Sequence, residues 1–193
     1  MSPVAVLPAG PGRFDDVEHA LTGGGDGASC QCQWWTLTNA DYSRSTREER
    51  AELMRAETLA ATPPGLVAQI DGETAGWVRV GPRTLLPRLS RTRIYAAHSS
   101  EPWDDETVWA VSCFSVRREF RRQGVARTLL THAIDFARGH GARLLEAYPV
   151  DTDVTDASTN ELYRGALRTF RGAGFVETAR ARADRPIVAL ALT

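Results

Sequence analysis

The sequence predicts an α/β fold organised on a mixed sheet, and three stretches carry that expectation. Residues from Trp109 to Val116, W-A-V-S-C-F-S-V, are apolar or small on both faces, as a strand inside a sheet must be. Val125, Leu129, Leu130, Ala133, Phe136 and Ala137 then recur with the period of a helix that buries one side. Residues Arg143 to Ala147 read as a further strand, and a strand–helix–strand crossover makes the two strands parallel neighbours. Antiparallel pairing enters elsewhere. Asp71-Gly72 is a tight hairpin signal between strands at Leu66–Ile70 and Ala75–Val80, and Val176–Ala179 with Ile187–Leu192 closes a second pair.

The remaining elements follow in order. Val4 to Leu7 alternates weakly and reads as an opening strand, and Arg13 to Leu21 as a short helix. Gly23, Gly24, Gly25 and Gly27 break that helix and lead into C-Q-C-Q-W-W, Cys30 to Trp35. Thr46 opens a helix with Glu49 three residues on, a capping box, and apolar positions continue to Ala61 before Thr62-Pro63-Pro64-Gly65 stops it. Gly81 to Asp105 reads as a long connection with Pro82, Pro87 and Pro102. Residues Thr155 to Ser158 suit a helix start, and Leu162, Ala166, Phe170 and Ala173 form the stripe of one last helix ending at Gly174.

A chain of 193 residues suits one domain, 1–193, burying about 70% of its extended surface. The longest apolar runs are far shorter than the ~20 residues that cross a bilayer, and the first residues lack a basic start before an apolar stretch, so the expectation is a cytoplasmic protein without membrane partners. A net charge of −1 argues against general nucleic-acid affinity. All 23 basic residues are arginine, consistent with GC-rich coding, so the protein has no lysine of its own to acetylate. Cys30, Cys32 and Cys113 make neither a disulfide framework nor a zinc set; buried or weakly reactive thiols are expected, and no metal site.

Between the central strand and helix lies a turn dense in donors: Arg117, Arg118, Arg121, Arg122 and Arg127, with Gly124 at the helix start. The first N–H groups of a helix have no internal partner and carry partial positive charge, so a phosphate satisfies them. Gly124 and Ala126 let a ligand approach the backbone, and arginines add charge-assisted donors. R-R-Q-G-V-A, Arg121 to Ala126, fits [QR]-x-x-G-x-[GA], and with F-S-V-R-R-E-F before it and Gly174-Phe175 downstream it resembles the GNAT superfamily of acyl-CoA-dependent N-acyltransferases over roughly Leu66 to Thr193.

The resemblance implies a GNAT-like α/β (α+β) fold: a mostly antiparallel central sheet with a splayed parallel pair and about four helices, residues 1–62 on the acceptor side and 66–193 holding the cofactor. It implies acetyl-CoA as cofactor, with the backbone of Phe114, Ser115 and Val116 along the pantetheine arm. Arg121, Arg122, Gln123, Gly124, Val125, Ala126 and Arg127 would then meet the pyrophosphate, with Asn160 as a further contact. It also implies direct acetyl transfer to a primary amine of a small molecule through a tetrahedral intermediate. Family members commonly place a tyrosine four residues before the Gly-Phe pair, where this chain has Phe170. Tyr163, Tyr148 or no tyrosine then supplies the acid, and Glu106 with Asp105 are candidates for the base or for a simply solvated run. Of Trp34 and Trp35, one is expected in the core and one in the acceptor pocket, which with Asp105 would suit a cationic, partly apolar amine. A homodimer is possible. The competing functions are a non-catalytic acyl-CoA sensor and, more remotely, an RNA-binding arginine cluster.

Overall fold

Asp71 and Gly72 take φ of 51° and 82°, the left-handed pair that a two-residue hairpin requires. They turn β2 (Gly65–Ile70) back onto β3 (Glu73–Pro82), so that Ile70 opposes Glu73. The computed structural model describes residues 3–158 and 160–192. With β1 (Val4–Pro8), β4 (Val108–Val116), β5 (Leu144–Ala147), β6 (Val176–Arg182) and β7 (Arg185–Ala191), these strands form one seven-stranded sheet in the order β1-β2-β3-β4-β5-β7-β6. Every pairing is antiparallel except β4 with β5, as the crossover through one helix demands.

Among the described residues the chain has eight α-helices rather than about four: α1 (Phe14–Leu21), α2 (Gly27–Cys30), α3 (Asn39–Arg44), α4 (Arg47–Thr58), α5 (Pro87–Arg91), α6 (Arg93–Ala96), α7 (Val125–Gly139) and α8 (Leu167–Arg171). The extra ones are four to six residues long, too short for an apolar period to show in sequence. Two of them, with a 3₁₀ turn at Arg83–Leu85, lie in the stretch expected to be a loop. The capping box forms as expected: Glu49 N–H donates to Thr46 Oγ1 at 3.1 Å and Thr46 N–H to Glu49 Oε2 at 2.8 Å.

The expected single last helix is two pieces. Leu162–Arg164 is one 3₁₀ turn, Gly165 takes φ 79°, and α8 begins at Leu167. The backbone there bonds to the continuation of β5 instead: Val150 N–H donates to Gly165 O at 3.0 Å and Leu167 N–H to Val150 O at 2.8 Å. Residues 155–158 form no helix.

Alternation along β3 and β4 builds two apolar layers. Val78, Val80, Val111 and Phe114 join Leu129, Leu130 and Ala133 of α7, with Phe170 and Phe175, in one layer. Trp77 and Val67 meet Phe14, Val17, Ala20 and Leu21 of α1 and Met54 of α4 in the other. A third cluster gathers Trp35, Leu86, Leu89, Tyr95, Ala110, Tyr148 and Ile187. In the β3–β4 ladder, Arg79 opposes Cys113 and Val80 opposes Val111, so Ser112 is a bulge. The bulge is why Val111 and Phe114, an odd number apart, share a layer.

Candidate active site at the end of the parallel ladder

The β4–β5 ladder stops at Val111 opposite Ala147, while β4 runs on to Val116. From Ser112 onward no strand among the described residues pairs with β4 on that side, so the amides that face it are available to an extended ligand. Ser112 marks the spot, since its buried Oγ has no hydrogen-bond partner among the described residues. Ser115 spends its hydroxyl on Ala20 O at 2.8 Å, tying β4 to the end of α1, and Phe114 puts its ring into the core, 6.0 Å from that of Phe170. The resemblance implies backbone contacts for Phe114, Ser115 and Val116, and the side chains of Phe114 and Ser115 are both occupied within the protein.

The turn beyond β4 meets the α7 N-terminus in the expected form. Gly124 sits at φ 81° with open space around the position a Cβ would take. The first backbone acceptor of the helix is Gly124 O, reached by Thr128 N–H at 3.0 Å. Among the described residues the N–H groups of Gln123, Gly124, Val125, Ala126 and Arg127 have no partner. Arg122 and Arg127 are exposed beside them, whereas Val125 is buried and anchors the helix to the core. Such a cradle fits a diphosphate. Arg121 is used differently from a simple phosphate clamp: its Nε donates to Val116 O at 3.1 Å and its Nη2 to Gly23 O at 3.4 Å. Arg117 likewise reaches His19 O at 2.8 Å. These two arginines hold the glycine-rich segment over the turn. Asn160 lies there too, with its Oδ1 2.8 Å from where a Cβ on Gly25 would be.

The tyrosine candidates separate cleanly. Tyr148 is 2% exposed, and its hydroxyl donates to Glu146 Oε2 at 2.7 Å, inside a buried Glu146–Arg83 ion pair of 2.7 Å. Burial and then the Glu146 charge hold its phenol well above the usual range. It is a structural group, not a free acid. Tyr163 is half-buried in the 3₁₀ turn that packs on β4. Burial raises its phenol too, so it stays protonated at neutral pH. Phe170, at the family's usual tyrosine position, is wholly buried.

The acidic candidates lie at the other end of β4. Asp105 takes Arg143 Nη2 at 2.6 Å and Thr107 N–H at 2.9 Å, and the Thr107 hydroxyl followed by Arg143 lowers its carboxyl to about 2. Glu106 is exposed beside it. Six residues of strand separate Glu106 from Ser112, about 20 Å, so neither carboxylate is brought to the open edge. The reason is directional: both precede the strand, and the ladder opens at its far end.

Trp34, Trp35 and Tyr163 were legible in the sequence, but the side chains that gather around them were not. Trp35 is 3% exposed and its ring lies 5.9 Å from that of Tyr95, while Arg164 stands over Trp35 at 5.1 Å and over the Tyr163 ring at 5.2 Å. Trp34 is the exposed tryptophan, 38%, with Arg88 stacked on it at 3.8 Å. Behind β4, Cys32 Sγ accepts from Trp77 Nε1 and Arg79 Nε, both at 3.3 Å, and from the Cys113 thiol. Burial opposes a charge on Cys32, but the Cys113 and Arg79 donors outweigh it and bring the thiol down to about 6, while Cys113 is held up. Cys32 is therefore more acidic than an inert buried thiol. Gln31 and Cys32 both take left-handed φ, 50° and 56°, an uncommon pair for residues with side chains.

A sheet opened between parallel strands, with a glycine cradle at the following helix, defines an acyl-carrier-binding transferase fold. The chain belongs to the acetyltransferase (GNAT) family, whose model matches residues 32–166, and the family's cofactor is acetyl-CoA. Solved structures share the fold over nearly the whole chain. An N-acetyltransferase from Staphylococcus aureus Mu50 is 18% identical with a TM-score of 0.58, covering 100% of both chains. The yncA protein from Salmonella typhimurium, solved with its cofactor acetyl-CoA, is 18% identical at 0.59, covering 98% of this chain and 94% of its own. Diaminobutyrate acetyltransferase EctA from Paenibacillus lautus, in complex with L-2,4-diaminobutyric acid and coenzyme A, is 15% identical at 0.51, covering 99% and 96%. No curated protein sequence matches the chain. No helix among the described residues is long and apolar enough to cross a membrane.

Proposed function

We propose that the protein is an acetyl-CoA-dependent N-acetyltransferase acting on the primary amine of a small molecule. The observation that carries this reading is the run of unpartnered N–H groups from Gln123 to Arg127, continuous with the open edge of β4. Those N–H groups, with Arg122 and Arg127, would hold the diphosphate, and the Ser112–Val116 backbone the amide-bearing arm. When bound, acetyl-CoA supplies an activated acetyl thioester. Backbone N–H groups at the β4 edge are fixed donors for negative charge developing on a carbonyl oxygen. Tyr163 keeps a proton on its phenol oxygen beside that edge and serves as the acid. The aromatic cluster of Trp35, Tyr95 and Tyr163 excludes water from the acceptor side.

Calorimetry tests the first half. Native protein is expected to bind coenzyme A, and Gly124→Glu and Arg127→Glu each to weaken it by about tenfold or more, as lost or reversed donors to a diphosphate require. Unchanged heats in both variants would refute the cradle. The sensor reading is favoured only by Phe170 standing where the family's tyrosine does; coenzyme A binding without thiol release for any amine would select it.

A further inference from the structure

We infer that the acceptor carries an oxyanion in addition to its amine, a carboxylate or similar oxoacid group seated between Arg88 and Arg164. The inference rests on the acetyltransferase reading above and names the substrate class of that site.

Three arginines of this protein are buried, and two of them have a carboxylate: Arg79 with Glu57 at 2.6 Å and Arg83 with Glu146 at 2.7 Å. Arg88, 5% exposed, has none among the described residues. Its Nε and Nη2 donate only to the carbonyls of Leu37 and Thr38, both at 3.0 Å, and the rest of the guanidinium lies against the rings of Trp34 and Tyr42. Burial accordingly works against its charge. A buried cation without a counter-charge is costly, and proteins retain one where a ligand completes it.

Arg164 repeats the pattern from the other side. It is half-buried among Trp35, Tyr95 and Tyr163, donates to the Tyr95 hydroxyl, and has no carboxylate partner among the described residues. The indole N–H of Trp35, in the same cluster, is buried with no acceptor among the described residues. The two arginines flank the Trp34-Trp35 pair: the Arg88 guanidinium stacks on Trp34 while its backbone N–H donates to Trp35 O at 3.3 Å, and Arg164 stands over the rings of Trp35 and Tyr163. The 3₁₀ turn that carries Tyr163 and Arg164 packs on β4, and Gly165, next to Arg164, approaches the Phe114 ring. An oxyanion held here would leave an amine on the same small molecule facing the open edge. The carboxylates expected to attract a cationic acceptor, Asp105 and Glu106, are at the opposite end of the strand.

The test compares matched acceptors with acetyl-CoA: phenylalanine, methionine and glutamate, their aminophosphonate analogues, and the amines left by removing the α-carboxylate. The expected result is a kcat/KM at least ~10²-fold higher for an acid-bearing member over its decarboxylated partner, the scale of discrimination when a site's polar groups are left unpaired. Arg164→Gln should erase most of that preference through KM, Arg164→Lys restore part of it, and coenzyme A heats remain unchanged in both. Arg88→Gln should act alike, with thermal melts reporting whether it folds. The phosphonate arm separates a carboxylate site from a general oxyanion site. Calorimetry of the same acids with the protein–coenzyme A complex judges the inference without turnover: binding lost in Arg164→Gln supports it, and no acid bound up to ~10 mM, the weak end of specific affinity, overturns it. Equal kcat/KM within each matched pair, or a preference that survives both substitutions, also overturns it. Absence of coenzyme A binding would instead strike the acetyltransferase reading.

Discussion

Tyr148 and Tyr163 differ in what holds their hydroxyls. Tyr148 has Glu146 as a fixed acceptor and no route to solvent, whereas Tyr163 stands at the edge of β4. Tyr163→Phe is expected to lower kcat by about 10²-fold with little change in KM, the usual size of a lost proton donor; an unchanged kcat in steady-state assays would remove Tyr163 from the chemistry. Cys32 yields a pH prediction. Its thiol falls from 9.0 to about 6 in the fold, so its contribution to stability is complete above about pH 9 and is lost as pH falls through 6. Cys32→Ser should therefore lower the melting temperature more at pH 8 than at pH 5.5, and an equal loss at both values would contradict a thiolate in the native state. None of this was readable from Cys30, Cys32 and Cys113 as letters, because Trp77 and Arg79, which supply the donors, are 45 and 47 positions from Cys32. The Arg–Gly turn was readable because its chemistry is local: every group it needs falls between Val116 and Thr128.

At the scale of elements, β4, α7 and the Asp71-Gly72 hairpin announce themselves through period and turn chemistry, and each forms close to where its residues predict. α5 and α6 do not, since four or five residues cannot display a helical period, and the break at Gly165 depends on Val150, which competes for the same backbone groups. These short pieces carry the proposed acceptor side, so the turn proposed to hold the cofactor was legible, while on the proposed acceptor side only Trp34, Trp35 and Tyr163 were. The clamp between β5 and the segment after β3 is the element-scale test. Arg83 and Glu146 are 0% and 2% exposed, with Ser99 and Tyr148 completing the network. Glu146→Gln, which leaves Arg83 uncompensated, should cost about 3–5 kcal/mol, while replacing both by methionine should cost less; urea titration distinguishes the two.

For the molecule as a whole, ligand binding and folding are linked, because the unfolded chain cannot assemble β4's edge with the α7 cradle. At about a hundred times its dissociation constant, acetyl-CoA should add ~2.7 kcal/mol. For a chain of this length that is a rise of about 5–10 °C in melting temperature, cut to about half or less in Gly124→Glu, whose tenfold weaker binding leaves at most ~1.4 kcal/mol at the same ligand concentration. A differential scanning trace with no rise in the native protein would argue against the cradle. Excising the bulge residue Ser112 would turn the β3–β4 ladder into an uninterrupted one, Val111 and Cys113 adjacent opposite Val80 and Arg79, with every later side chain keeping its present face. What the shortening takes away is the local kink and, at the mouth of the slot, the buried Ser112 hydroxyl that has no partner among the described residues, so a trimmed β4 would keep its layers and lose only its bend.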